Sequence, residues 1–191
     1  MMAEEVSSKV AIFVEPTPNP NSLKFIAGRK IVDSGSYEFA TPEEAEKSFL
    51  ARQLFKIDGV EGVFIGTDFV TVRKIGEAAW DEIEPKAIQI IEDAVSGQRP
   101  LVEEQAGSSG QPAAATGAEA KICTILDEEI RPAVAMDGGD VTFQSFEGGV
   151  LTLRLVGACS GCPSSLMTLK MGIERRLKED IPELTEVVAL M

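Results

Sequence analysis
The chain has 191 residues, with 18 Lys and Arg against 31 Asp and Glu, a formal net charge of −13, and no histidine. That length suits one substantial core or two small ones, and the acidity argues against nucleic acid or an anionic membrane surface as a partner. Without histidine there is no Ser-His-Asp or Cys-His catalysis and no His-ligated zinc, while 44% hydrophobic and 26% charged residues describe a chain that folds.

At its start, Met1-Met2-Ala3-Glu4-Glu5-Val6-Ser7-Ser8-Lys9 is acidic, with neither an apolar h-region nor an Arg-rich amphipathic pattern. The compartment expected from it is the cytoplasm. Residues 10–14 and 23–26 are short β-like runs on either side of Glu15-Pro16-Thr17-Pro18-Asn19-Pro20-Asn21, whose prolines hinder helix. This stiff loop is read as scaffolding, with partner recognition as the alternative. Thr41-Pro42-Glu43-Glu44 is a capping box, predicting a helix over residues 41–55 that buries Phe49, Leu50 and Leu54. Residues 62–66 and 69–72 read as a β-hairpin about Thr67-Asp68. Pro85 is expected to open a helix over 85–96, with Ile88, Ile91 and Val95 on its buried side. The carboxylates of this half scatter and form no catalytic set.

From Arg99 to Gly117 the text RPLVEEQAGSSGQPAAATG has no aromatic residue and is dominated by Gly, Ser, Pro and Ala in its second half. It predicts a flexible linker. The expected division is therefore an N-terminal domain over 1–98, a linker over 99–117 and a second domain over 118–191. Both halves are acidic.

The second domain opens on a helix from about residue 119, with Ile122, Ile125, Leu126 and Ile130 on one side and Pro132 disturbing its end. Asp137-Gly138-Gly139-Asp140 reads as the turn that follows. Residues 141–146 and 150–156 form an antiparallel hairpin in which Leu151, Leu153 and Leu155 alternate with Thr152 and Arg154. A long helix over 163–178 and a last strand over 186–190 complete an α+β unit, helices on one face of a small mixed or antiparallel sheet. The fold class expected for the whole chain is α+β, as two small domains.

The chemistry gathers at Gly157-Ala158-Cys159-Ser160-Gly161-Cys162-Pro163. Cys159 and Cys162, two residues apart, can point at one centre, and Pro163 starts a helix whose N-terminal N–H groups favour thiolate over thiol. Three cysteines are a poor basis for a disulfide framework, so a reducing compartment is expected. Cys123 sits on an apolar helical side and is read as core packing. Met167 and Met171, one turn apart, are read as core in preference to a dimer contact. A [4Fe-4S] cluster or a structural zinc takes four thiolates, and one chain offers two at suitable spacing. Two copies meeting across a two-fold axis would supply four. Zinc and cluster both fit that count, and a dithiol oxidoreductase is a third alternative, set aside for want of a parallel βαβ pattern around the motif.

Arg131-Pro132-Ala133, Asp137-Gly138-Gly139-Asp140, the Gly157 to Ser165 stretch and Leu169-Lys170-Met171-Gly172-Ile173-Glu174 closely resemble the Nfu domain of NifU-type iron–sulfur scaffold proteins. Glu15 to Phe25, with Leu54-Phe55, Gly59-Val60, Gly62-Val63-Phe64 and Asp68-Phe69, is similar to the N-terminal domain that accompanies it in one branch of that family. The resemblance implies a non-enzymatic carrier that binds a [4Fe-4S] cluster between two subunits through Cys159 and Cys162, with a [2Fe-2S] form left open. It implies transfer to apo iron–sulfur proteins by thiolate exchange, with an upstream assembly scaffold as donor. Apart from the resemblance, the N-terminal domain is expected to select acceptors while the linker lets the loaded dimer swing.

Overall fold
The computed structural model describes residues 10–33, 35–97, 101–102, 117–159 and 163–190. The chain is α+β, built as two sheets with helices against each.

In the N-terminal half, β1 (Phe13–Pro16), β2 (Ser22–Ile26), β3 (Tyr37–Phe39), β4 (Val60–Ile65) and β5 (Phe69–Lys74) form one antiparallel sheet in the order β1-β2-β5-β4-β3. Side chains alternate across a strand, and one face carries Phe25, Val63, Ile65, Val70 and Val72 into a core with Leu50, Leu54, Ile83 and Ile91. The capping box forms: Thr41 accepts from the Glu44 N–H, and Glu44 accepts from the Ala40 N–H. The single helix expected behind it is two, α1 (Pro42–Ala45) and α2 (Phe49–Leu54). Ser48 breaks it. Its hydroxyl caps the Ala51 N–H at 3.2 Å and donates to the Leu101 carbonyl at 2.7 Å, so a buried serine starts a second helix.

Helix α3 spans Trp80–Ser96, with Pro85 inside it and not at its start. Three contacts hold the first turn against the missing proline N–H: the Trp80 indole donates to the Pro20 carbonyl at 3.2 Å, Lys74 Nζ lies 5.8 Å from its ring centre, and Ile83 is buried. Of the segment predicted as linker, Leu101 is buried against the N-terminal core and Val102 packs beside it. Residues 99–100 and 103–116 lie outside the described residues.

In the C-terminal half the first helix does not end at Pro132. Helix α4 (Ala118–Ile125) passes into a π-helical turn, Leu126–Ile130, and on into α5 (Arg131–Met136). The wider turn falls where proline removes a hydrogen bond and crowds the carbonyl four residues back. Strands β6 (Gly139–Glu147) and β7 (Val150–Gly157) pair antiparallel, and β8 (Glu186–Leu190) runs parallel to β7 after α6 (Pro163–Asp180). Leu151, Leu153 and Leu155 are buried with Ile122, Val141, Ile173, Leu177 and Val187. A parallel β7–α6–β8 crossover thus flanks the cysteine motif, so the absence of such a pattern is no ground for setting redox chemistry aside.

The two halves touch. The second face of the N-terminal sheet presents Phe64 and Phe69 to Val156, with Ile26 and Ala135 at the edge of the same apolar patch.

Candidate functional site
The site is a corner where β7 ends against the beginning of β6. Gly157, the last residue of β7, has φ +73°, and Gly138, ahead of β6, has φ +80°, both in the left-handed region that glycine enters without strain. Gly139 pairs with Gly157 across the ladder, and the Ala158 N–H donates to the Gly138 carbonyl at 3.1 Å. A methyl group on Gly139 would lie 2.8 Å from Cys159 Sγ and 2.6 Å from the Val156 carbonyl oxygen. Only glycine leaves room for that sulfur.

Cys159 is 5% exposed and packs with the C-terminal core. Ser160, Gly161 and Cys162 lie outside the described residues, so the structure places one of the two predicted ligands; α6 begins directly after them at Pro163. Cys123, on α4, is 7% exposed. Burial, and then the carboxylates of Asp127 and Glu119, push its thiol pKa up, which disfavours the thiolate a metal would need. Among the described residues no group of three or more Cys, Asp or Glu side chains could hold a metal ion. Met167 and Met171, expected in the core, are 60% and 65% exposed on α6, and Met136 on α5 is 74% exposed.

Residues from the N-terminal half surround the same corner, and sequence reasoning missed all but the loop that carries Asn19. The Asn19 side-chain amide donates to the Ala158 carbonyl at 3.2 Å. The Gly157 N–H donates to Glu38 Oε1 at 3.1 Å, and Thr71 Oγ1 donates to the Gly138 carbonyl at 2.7 Å. Ser36 donates to Asp140 at 2.6 Å, while Arg131 pairs with Asp140 at 3.3 Å and Asp127 at 3.0 Å. Lys24, 8% exposed, reaches the Met136 carbonyl at 3.4 Å and stands 5.0 Å from the Phe69 ring centre. In the sequence these are only a lysine in a strand and an asparagine in a turn; their burial shows in the structure alone. Neither declares its partner, which lies over a hundred positions away.

A strand–helix junction carrying two thiols, with no set of three or more donors among the described residues, can bind a soft metal centre in part or exchange disulfides. Comparison with known proteins narrows this. The chain matches the family model described as scaffold protein Nfu/NifU N terminal over residues 12–98 and the NifU-like domain model over residues 122–188. It is 44% identical over 183 residues to a human protein named "NFU1 iron-sulfur cluster scaffold homolog, mitochondrial", covering 94% of this chain and 72% of that protein. A Drosophila yakuba protein of the same name is 38% identical over 191 residues, covering 97% and 68%. The solution structure of a NifU-like protein from Saccharomyces cerevisiae aligns at 28% identity with a TM-score of 0.47, covering 55% of this chain and 93% of that one. The expected cytoplasmic compartment is overturned by these relatives, which are named mitochondrial. The acidic composition of nine residues does not decide a compartment.

Proposed function
The chain belongs to the Nfu/NifU family of iron–sulfur cluster scaffold proteins, and from that premise we propose that it carries a [4Fe-4S] cluster between two copies, held by Cys159 and Cys162 of each. The cluster is cargo. Thiolates of an apo iron–sulfur protein displace the carrier's four in turn, a ligand exchange that needs no acid–base residue and makes the chain a carrier and not an enzyme. The donor is an upstream assembly scaffold and the compartment is the mitochondrion, in keeping with the names of its relatives. The working division is 1–98 for acceptor selection, 99–117 as tether and 118–191 as cluster module.

One observation carries the reading: Cys159 stands at a glycine-built strand–helix junction, and no set of three or more metal donors assembles among the described residues. Half a ligand set per chain calls for a second chain. The exposed methionines of α6, the helix that starts right behind the motif, give such a copy an apolar face to meet.

The test is native mass spectrometry after anaerobic reconstitution with iron and sulfide. The expected assembly is a dimer with one [4Fe-4S] cluster, lost in Cys159→Ser and in Cys162→Ser and kept in Cys123→Ser. A dimer holding zinc without acid-labile sulfide, or a full cluster retained by Cys159→Ser, refutes the proposal. A dimer with [2Fe-2S] refutes the cluster type while keeping the ligands.

A further inference from the structure
Cys159 cannot serve as a shared ligand where it lies. Its side chain is turned into the C-terminal core, with Sγ against Gly139, whereas a centre bridging two copies needs the sulfur at the surface. Where the sulfur points is set by the side chain's own torsion and by the backbone that carries it, residues 157–159. Beyond its own ladder with Gly139 and the Ala158–Gly138 hydrogen bond, that backbone is held from the N-terminal sheet and its proline-rich loop: Asn19 on the Ala158 carbonyl, Glu38 on the Gly157 N–H, and Thr71 on the Gly138 carbonyl.

The grip is built in advance. Asn19 Oδ1 accepts from the Asn21 N–H at 3.0 Å and the Asn19 N–H donates to Thr17 Oγ1 at 3.2 Å, which fixes the amide so that its nitrogen faces Ala158. Behind the polar contacts, Phe64, Phe69 and Val156 make a small apolar seat. All three grips fall on backbone groups of the cluster corner, so they can be made and released without touching the ligating side chains.

We propose that the N-terminal half is a releasable clamp on the cluster loop: docked, it keeps Cys159 turned into the core, and undocked, it lets the thiol out to ligate. Asn19, Glu38 and Thr71 are its positioning residues. The inference rests on the carrier reading, and it gives the N-terminal half a role in loading and release besides any choice of acceptor.

The experiment uses the reduced, metal-free full chain, alkylated with iodoacetamide and read cysteine by cysteine by tandem mass spectrometry. Cys123 serves as an internal monitor of general opening of the C-terminal core. Asn19→Ala combined with Thr71→Val is expected to raise the Cys159 rate about tenfold or more, as the loss of two hydrogen bonds implies, with Cys123 unchanged. Thr71→Ser, which keeps the hydroxyl, should behave like the parent. An unchanged Cys159 rate in the double variant overturns the clamp, and so does a rise shared equally by Cys123. A second measurement needs no variant: amide hydrogen exchange at Gly157 and Ala158 should accelerate when the chain is loaded with cluster, and unchanged protection there also overturns the proposal. If no cluster is taken up while the alkylation result holds, the carrier reading fails and the clamp stands. If cluster is bound while alkylation is indifferent, the clamp alone fails.

Discussion

Gly157→Ala tests the corner most directly. Gly157 has φ +73°, and an added Cβ would lie 2.7 Å from the Gly138 carbonyl oxygen, 2.9 Å from Gly139 Cα and 3.1 Å from Phe64 Cδ1. The first two are backbone atoms that cannot rotate away, and the third belongs to the other half of the molecule. Holding alanine in the left-handed region costs about 1–2 kcal/mol, and overpacking against fixed atoms adds about 1–3 kcal/mol. A total near 3 kcal/mol corresponds to a drop of roughly 6–12 °C in melting temperature for a chain of this size. Gly148 supplies the control: its φ is +58°, yet nothing lies within 4 Å of an added Cβ. Gly148→Ala should therefore carry the strain alone, about 1–2 kcal/mol. Scanning calorimetry of both variants in one buffer measures the difference. If Gly157→Ala melts no lower than Gly148→Ala, the steric account of the corner is wrong.

Two further outcomes follow from other contacts. Arg176 on α6 grips Glu129 of the π-helical turn with two nitrogens, at 2.6 and 2.7 Å, and also pairs with Asp180; these hydrogen bonds hold both carboxyl pKa values down and the arginine's up. Carboxyls depressed in the folded state contribute stability above their unfolded pKa of about 4 and lose it as pH falls through the lower folded value. Arg176→Gln should thus lower the melting temperature at pH 7 and differ less and less from the parent as the pH drops below about 4; an equal difference at both ends would show that packing and not charge is involved. Met171→Glu puts a negative charge on the exposed face of α6, in a chain of net charge −13. Analytical ultracentrifugation should find less cluster-loaded dimer with the apo chain's melting unchanged, and an unaffected dimer would remove α6 from the interface.

The legible parts of the molecule are those whose signal is local. The capping box at Thr41, the hairpin of residues 62–72, the Leu151-Leu153-Leu155 alternation and the strand Glu186–Leu190 each depend on neighbours within a few positions, and each formed. The misreadings share another cause. Ser48 splits a helix because it also binds Leu101, and Pro85 sits inside α3 because Trp80 is tied to Pro20 and Lys74. A π-helical turn absorbs Pro132 where the local rule ends the helix. In the site, the thiol motif announces itself, whereas Asn19, Glu38 and Thr71 carry no local mark of their contact with residues 138–158. Tertiary bonds to backbone groups leave no trace in a pattern of side-chain types.

Burial of Cys159 bears on how a carrier lets go of its cargo. A cysteine side chain behaves as a small hydrophobe when it is not a ligand, and here it has a place in the core, against Gly139 and within the cluster of Ile122, Val141 and Leu155. On the carrier reading, ligation must then compete with packing: every thiolate brought out to iron leaves apolar contacts unmade, and every one released regains them. Binding is weakened by that difference and release is eased by it, with no residue that attacks the cluster. The glycines set the balance, since Gly139 provides the sulfur's resting place and Gly157 lets the chain turn beside it. On that reading, weak and reversible holding would belong to the apo core as much as to the number of thiols.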